Sequence, residues 1–502
     1  MSSPTSSVLL SRRHSQLKTL IVSPLFWWVL LVLGLAVRIR QYLFGHSYWY
    51  DESFLLLPIR ERGYAELLGA QPYNLVIPPV FLWITRALHE IGGDGELMMR
   101  LPSFVAGIAA LILMVPLARK VVGGQYAIWA FALLALCRHA VDHGSEVRPY
   151  TVDLLMVEMV LYCVAILVDS TATSKTHTLA AIGLGTVAAL GPWTSFPTAF
   201  VLSGASLALA LHLKQHGTTR EWLAWIAFNG IVFLSGVLMW WFSARHLYYG
   251  GMIEHWQQGW GGFPDWNSSL AIGEWLLERP VEIGNYGNRE LGIILTLLSI
   301  AGGIALAKRS LALTVLLTVP FVLAVAAALL GKYPLADRTC FFLLPCMWLM
   351  AACGIGSIID WGRERGRELA VAFLLLLALD FSWTIYRIAI PDKQMDFRGA
   401  YEFVHAHKEP TDSFWSMTAI VHETYYGKSD AVLKDPDLEE ALNRAKHQRV
   451  WVVVGIDNAG LRQRFEANAR VAFKQNFCRL DVLLFEPKND SVAGVGAGKT
   501  SP

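Results

Sequence analysis

Charge is what this chain has least of. Only 16% of its 502 residues are Asp, Glu, Lys or Arg, against about a quarter in soluble proteins. That shortage argues against a soluble globular fold. The net charge of +2 gives no basic excess for nucleic acid. Cysteine is scarce too, with six residues. Cys137, Cys163, Cys340, Cys346 and Cys353 lie in or beside apolar runs, and only Cys478 lies in the polar tail. No CxxC or zinc-ligand spacing occurs, so these read as core residues rather than redox or metal groups. No internal repeat is visible. No small-residue cleavage site follows the first apolar run, which comes after Arg12, Arg13 and Lys18. An uncleaved anchor is expected there rather than a signal peptide.

Apolar residues are abundant instead, at 54% of the chain, with 19 Trp among them. They fall in runs of roughly 18–20 residues, the length that crosses a bilayer as a helix. Spans are expected at 20–38, 101–118, 124–140, 151–168, 177–191, 194–213, 222–242, 290–307, 311–330, 341–359 and 368–389, eleven in all. With the N-terminus in the cytoplasm, the inner connections hold Arg119-Lys120, Lys175, KQHGTTR (214–220), KRS (308–310) and GRERGRE (362–368). Each carries a basic residue, as the positive-inside rule requires. Arg38 and Arg40 stand against this, just outside the first span. Residues 76–91 are shorter and amphipathic, with Arg86, His89 and Glu90 towards the end. They fit an interfacial helix on the outer leaflet.

Three outer segments are long: 39–100, 243–289 and everything from 391. The first two are rich in Trp, Tyr and Gly, partly as an aromatic belt, but loops of this size usually have a job. After 391 the character changes. Residues 396–404 read as an amphipathic helix, 412–415 as a turn into a strand, 450–455 and 481–486 as strands, and 461–472 as a helix. That alternation suggests a small α/β domain over 391–488, followed by a Gly/Ser/Ala-rich tail, 489–502, expected to be disordered. The fold class is thus a polytopic α-helical membrane protein, 1–390, with a C-terminal α/β domain on the outer face.

Polar residues gather on that outer side. YWYDES after the first span holds Asp51 and Glu52. HGSEVRPY holds His143, Glu146, Arg148 and Tyr150. GKYPLADRT holds Lys332, Tyr333, Asp337 and Arg338. Carboxylates and cations on one face suit transfer away from an anionic lipid headgroup. Breaking an anomeric C–O bond to a polyprenyl phosphate leaves negative charge on the phosphate, which Arg or Lys stabilises in a partly dehydrated cleft. The attacking hydroxyl must lose a proton, and a placed carboxylate such as Asp51 takes it.

In order and spacing, YWYDES, IPPVFLW, ELMMRLPS and SEVRPYTVDLL resemble the polyprenyl-phosphate-sugar-dependent glycosyltransferases of the GT-C superfamily. Within it, the bacterial relatives of protein O-mannosyltransferases and lipid A aminoarabinose transferases are the nearest pattern. Arg338 before an apolar run and DFRGAYEFV at the start of the tail extend the likeness over most of the chain. The resemblance implies Asp51 as the catalytic acidic residue, with Glu52 beside it. It implies Glu146, Arg148 and Tyr150 near the active site, and Arg338 on the lipid phosphate. Lys332 and His143 join them as candidate donor contacts. No DxD-type metal motif occurs in the first outer loop. This departs from the oligosaccharyltransferase branch and leaves a divalent metal undecided. A polyprenyl-phosphate sugar donor, an envelope lipid, glycan or protein acceptor, and an inner-membrane location follow from the resemblance.

Each position also has a plainer use. Asp51 and Glu52 can cap the helix that follows. Arg148 can snorkel. Tyr48, Trp49 and Tyr50 can serve either as belt or as a donor-site wall. Asp153, Glu158 and Asp380 fall inside spans, where ionisable groups are functional candidates by default. They keep a transporter or flippase as a competing reading, and an inactive scaffold is a third.

Overall fold

The computed structural model describes residues 24–247, 251–288, 291–364, 382, 385–386, 395–427, 432–433 and 437–488. Arg12, Arg13, Lys18, Asp380, nearly all of the expected span 368–389 and the tail 489–502 lie outside the described residues. The chain divides into two units. One comprises residues 1–44 and 62–391, and the other 45–61 and 392–502.

In lipid the backbone must satisfy its own hydrogen bonds, so long apolar runs become helices. Among the described residues, six helices are long and apolar enough to cross a membrane. They are Pro24–Phe44, Glu96–Val121, Tyr150–Leu167, Thr219–His246, Leu311–Leu329 and Asp337–Gly362. Ser269–Gly287 and Gly292–Ala307 make a seventh if taken as one bent span. The protein is a multi-pass membrane protein. The expected spans 177–191 and 194–213 are also helical, over Ser174–Thr194 and Thr198–His216. Local signals set several starts. Thr218 and Glu221 form a reciprocal capping box for Thr219–Phe242, and Ser310 Oγ accepts from Leu313 N–H, each relieving orphan N–H groups.

Two expectations need correction. The run 124–140 is not one span. Its helix ends after Ala127–Ala135, Cys137 is extended (φ −68°, ψ 115°), and a second short helix covers Arg138–Asp142. Arg38 is also not an outer flank. The first helix runs on to Phe44, and Arg38 is only 3% exposed inside it. The two deviations share a cause. Arg38 Nη1 donates to Ala135 O at 3.1 Å and Nη2 to Leu134 O at 2.9 Å. These carbonyls lie at the end of the broken helix, where the regular backbone ladder stops, and Leu134 O also accepts from Cys137 N–H at 3.2 Å.

The helices differ in how deeply they sit in this unit. The apolar window of Asp337–Gly362 is 83% buried and that of Thr219–His246 is 11%, so the first is central and the second peripheral. Close packing requires small residues at one crossing. A Cβ on Gly302 would stand 1.7 Å from Met350 O, and one on Gly354 2.2 Å from Leu298 O. Helices Gly292–Ala307 and Leu344–Glu364 therefore approach backbone to backbone. The amphipathic segment expected at 76–91 is the 14-residue helix Pro79–Gly92, which buries Pro79, Phe81, Leu82 and Thr85. At about 1.5 Å per residue it is too short to span.

The second unit holds a five-stranded sheet in the order β2-β1-β3-β5-β4. The strands are β1 (Ser413–Ser416), β2 (Val432–Leu433), β3 (Val450–Gly455), β4 (Ala469–Phe477) and β5 (Leu480–Pro487). β1 pairs in parallel with β2 and β3, and β5 runs antiparallel to β3 and β4. The sequence VWVVVG is apolar without alternation because both faces of β3 are covered. Trp451 and Val453 pack with Phe397, Tyr401, Val404 and Val421. Val450, Val452 and Val454 pack with Ala441, Ala445 and Phe465 on the other side. The helix expected over 461–472 ends at Asn468, and Ala469 begins β4. A two-residue turn closes β4 onto β5, with Cys478 and Arg479 at φ 36° and 61°, the left-handed geometry that tight hairpins demand.

Candidate active site

Within the first unit, the motif HGSEVRPY folds into a short 3-10 turn, His143–Ser145, leading to helix Tyr150–Leu167. The RLPS stretch of helix Glu96–Val121 fastens it. Ser103 Oγ donates to Arg148 O and Thr151 Oγ1 donates to Ser103 O, both at 2.7 Å. This turn is buried, with His143 and Glu146 each 7% exposed and Arg148 5%.

A polar chain runs through it. His143 Nδ1 lies 3.0 Å from Glu146 Oε2, and His143 Nε2 lies 2.5 Å from Tyr286 Oη. With Glu146 ionised, Nδ1–H donates to the carboxylate and Nε2 accepts from the phenol. The ring of His139 stacks on Tyr286 at 4.1 Å and 7°. Tyr150 lies 4.7 Å from the His143 ring, and Phe341 closes the edge at 5.2 Å. The Arg338 guanidinium reaches the same place, 6.0 Å from the Tyr150 centroid, the outer limit of a cation–π contact.

Arg338 arrives on an unusual backbone. Asp337 begins the 3-10 turn Asp337–Leu343 at φ 49°, a conformation a non-glycine residue adopts at a cost and often at functional sites. The turn is braced: Arg279 Nη1 donates to Leu335 O at 3.1 Å, Leu335 N–H to Gly262 O at 2.8 Å, and Tyr333 Oη to Thr339 O at 2.8 Å. His143, Glu146, Tyr150 and Arg338 therefore come together. Lys332 is exposed on the turn after Leu311–Leu329.

Tyr286 and His139 were not among the sequence candidates. Tyr286 comes from the aromatic-rich segment 243–289, whose length alone suggested a role. Deeper in the unit, Asp153 lies beside Ser195. Asp153 Oδ1, Ser195 Oγ and Thr198 Oγ1 are buried without a hydrogen-bond partner among the described residues. Glu158 is fully buried, with both carboxylate oxygens likewise unpartnered. Its charge neighbour is Arg38, a partner the sequence did not suggest.

In the second unit, YWYDES opens helix Tyr50–Glu61, so Asp51 and Glu52 occupy its first turn, where the helix dipole favours carboxylates. Glu52 Oε2 accepts from Trp49 N–H at 3.3 Å, which is the capping use. Glu52 is fully buried and Asp51 is 8% exposed. Trp49 packs against the core that holds Phe397, Tyr401 and Trp451, as Tyr425 and Met395 also do. Among the described residues no three His, Cys, Asp or Glu side chains converge as metal ligands.

Residues 76–240 match the family model of dolichyl-phosphate-mannose-protein mannosyltransferases. That stretch holds His143, Glu146, Arg148 and Tyr150. No curated protein matches the chain. Among solved structures, ArnT from Cupriavidus metallidurans bound to undecaprenyl phosphate is 14% identical, with a TM-score of 0.54 over 94% of this chain and 100% of that one. Its apo structure gives 14% and 0.55, over 91% and 97%. The oligosaccharyltransferase AglB from Archaeoglobus fulgidus, in complex with an inhibitory peptide and a dolichol-phosphate, gives 12% and 0.45, over 85% and 69%. The fold is that of ArnT.

Proposed function

We propose that this GT-C protein transfers a sugar from a polyprenyl-phosphate donor to an acceptor on the outer face of the cytoplasmic membrane, with Asp51 as general base. The acceptor is a lipid, glycan or protein of the envelope. The acceptor oxygen bonds to the anomeric carbon, the C–O bond to phosphate breaks, and the proton passes to Asp51. Charge left on the phosphate is met by Arg338 and Arg148, with Lys332 a further cation at the headgroup. Tyr150 and Glu146 serve the donor, and Glu52 orients the acidic segment. The N-terminus is cytoplasmic. Residues 1–390 supply the transmembrane catalytic domain, with 45–61 folded into the C-terminal unit, and 391–488 a soluble domain on the outer side.

The observation that carries this reading is the buried Glu146–His143–Tyr286 chain beside Tyr150 and Arg338. A helix bundle does not need such a concentration of polar groups to be stable. The ArnT structure, which bears undecaprenyl phosphate, supports the donor class. The test is transfer by full-length protein in membrane vesicles. Asp51→Asn and Asp51→Ala are expected to insert and fold but to transfer nothing. Full activity in Asp51→Ala removes the central assignment.

A further inference from the structure

The segment that carries Asp51 is folded onto the C-terminal sheet unit rather than left as a free loop. It is fastened at both ends. Before the acid, Ser47 Oγ donates to Met395 O at 2.8 Å and accepts from Phe397 N–H at 3.0 Å, while Arg398 Nη2 donates to Gly45 O at 3.3 Å. These contacts tie the segment to the start of helix Phe397–His407. Three residues before the acid, Tyr48 N–H donates to Tyr425 Oη at 2.6 Å. The two tyrosine rings lie 5.6 Å apart, and Tyr48 is 1% exposed. After the acid, Arg60 Nη1 donates to Thr424 O. Tyr425 and Thr424 both belong to helix Ala419–Tyr426, so this one helix grips the segment on either side of Asp51.

We infer that Tyr425 is a positioning residue for Asp51, and that helix Ala419–Tyr426 makes the C-terminal unit part of the catalytic apparatus. This rests on the reading of Asp51 as the base. Tyr48 N–H precedes the first turn of helix Tyr50–Glu61, so its bond to Tyr425 Oη fixes where that turn begins. The ring packing orients Tyr425, and the hydroxyl supplies the directional contact. Without the hydroxyl, a buried backbone donor loses its partner, a loss larger than that of an ordinary exposed bond. The first turn then shifts to find another acceptor, and small displacements of a reacting group cost rate steeply.

The test compares Tyr425→Phe, Asp51→Ala and a distant control, Arg470→Ala, which removes only the surface pair with Glu486. All are full-length and purified in lipid nanodiscs. Hydrogen exchange is read first, because it needs no substrate. Tyr425→Phe is expected to lower protection in residues 45–61 while β3 and β5 keep theirs. Transfer to envelope acceptors is then measured with undecaprenyl-phosphate mannose and undecaprenyl-phosphate aminoarabinose as separate donors. The expected result is a roughly tenfold or greater fall in the rate at saturating donor. The half-saturating donor concentration should match that of Arg470→Ala, and the melting temperature should fall by no more than one lost buried hydrogen bond allows. Unchanged protection of 45–61 overturns the inference, and so does a rate loss that only follows a lowered melting temperature. If Asp51→Ala transfers normally, both the base assignment and the positioning role fall. If Asp51→Ala is inactive but Tyr425→Phe is normal, only the positioning role falls.

Discussion

Arg338 holds its guanidinium over the ring of Tyr150, 6.0 Å from the centroid, although 188 residues separate them in the chain. The two meet beside the His143–Tyr286 cluster, and in the proposed function this cation meets the donor phosphate. Arg338→Ala is expected to raise the half-saturating donor concentration at least about tenfold, the scale of a lost charge-assisted bond. Arg338→Lys should recover only part of it, because an ammonium lacks the planar fork and stacks poorly. Steady-state transfer over a donor series reads both. Equal donor affinity in wild type and Arg338→Ala would remove the phosphate role.

His143 satisfies two buried partners at once, Glu146 and Tyr286. His143→Ala leaves a carboxylate and a phenol underground without it, at a cost of about 1–3 kcal/mol for each unsatisfied group. Tyr286→Phe removes one hydroxyl and keeps the stack on His139, so its loss should be the smaller. Thermal unfolding in detergent is expected to rank the proteins wild type, Tyr286→Phe, His143→Ala in falling order. The reverse order of the two variants would show that the chain does not stabilise the fold.

Arg38 and Glu158 are buried together in the first unit, and Arg38 donates to Gly34 O as well as to Leu134 and Ala135. Arg38→Ala removes a buried side-chain donor from the carbonyls of Gly34, Leu134 and Ala135 and takes away the cation nearest Glu158, at about 1–3 kcal/mol for a buried group left unsatisfied. It should fail to accumulate as a monodisperse protein. Glu158→Gln keeps shape and removes the charge, and should fold. Fluorescence-detected size exclusion of tagged variants separates the two. A monodisperse Arg38→Ala would show that the carbonyls find other partners.

The fold class and most of the polar cluster could be read in the sequence for one reason: their signals are local. Apolar run length marks helices. HGSEVRPY and LADRT carry several polar groups within a few residues, so they stand out before any folding is known. Tyr286 does not, because a single tyrosine in an aromatic-rich segment gains meaning only when His143, 143 residues away, meets it. Arg38 is similar: an arginine near a span end reads as a flank until the end of another helix presents its carbonyls to it. The break at Cys137 lacks a proline or glycine and so carries no local mark. β4 did carry one, since Val471, Phe473 and Phe477 fall on alternate positions, but the helical reading of the preceding residues was extended across it.

The C-terminal unit should sense acid through His405 and His422. Their Nε2 atoms lie 2.8 Å apart, so one ring donates and the other accepts, and two imidazolium ions cannot share the contact. Burial pushes His422 down to about 4, with the positive potential of His405 and Lys408 adding to it. Burial lowers His405 as well, with Lys408 contributing. In the unfolded chain both titrate near 6.5. Between about pH 6.5 and about pH 4 the unfolded chain therefore binds protons that the folded unit refuses, and stability falls as pH drops through that window. Above about pH 6.5 the contribution is complete. His422→Phe should flatten the dependence. The phenyl ring can keep company with Tyr401, Phe414 and Tyr426, which already surround the imidazole, and it has no proton to gain. Hydrogen exchange of the sheet and of helix Ala419–Tyr426 at about pH 7.5 and about pH 4.5 is the measurement. The wild type should lose protection at the lower value and His422→Phe should lose less. If both lose protection equally, the acid response comes from other groups.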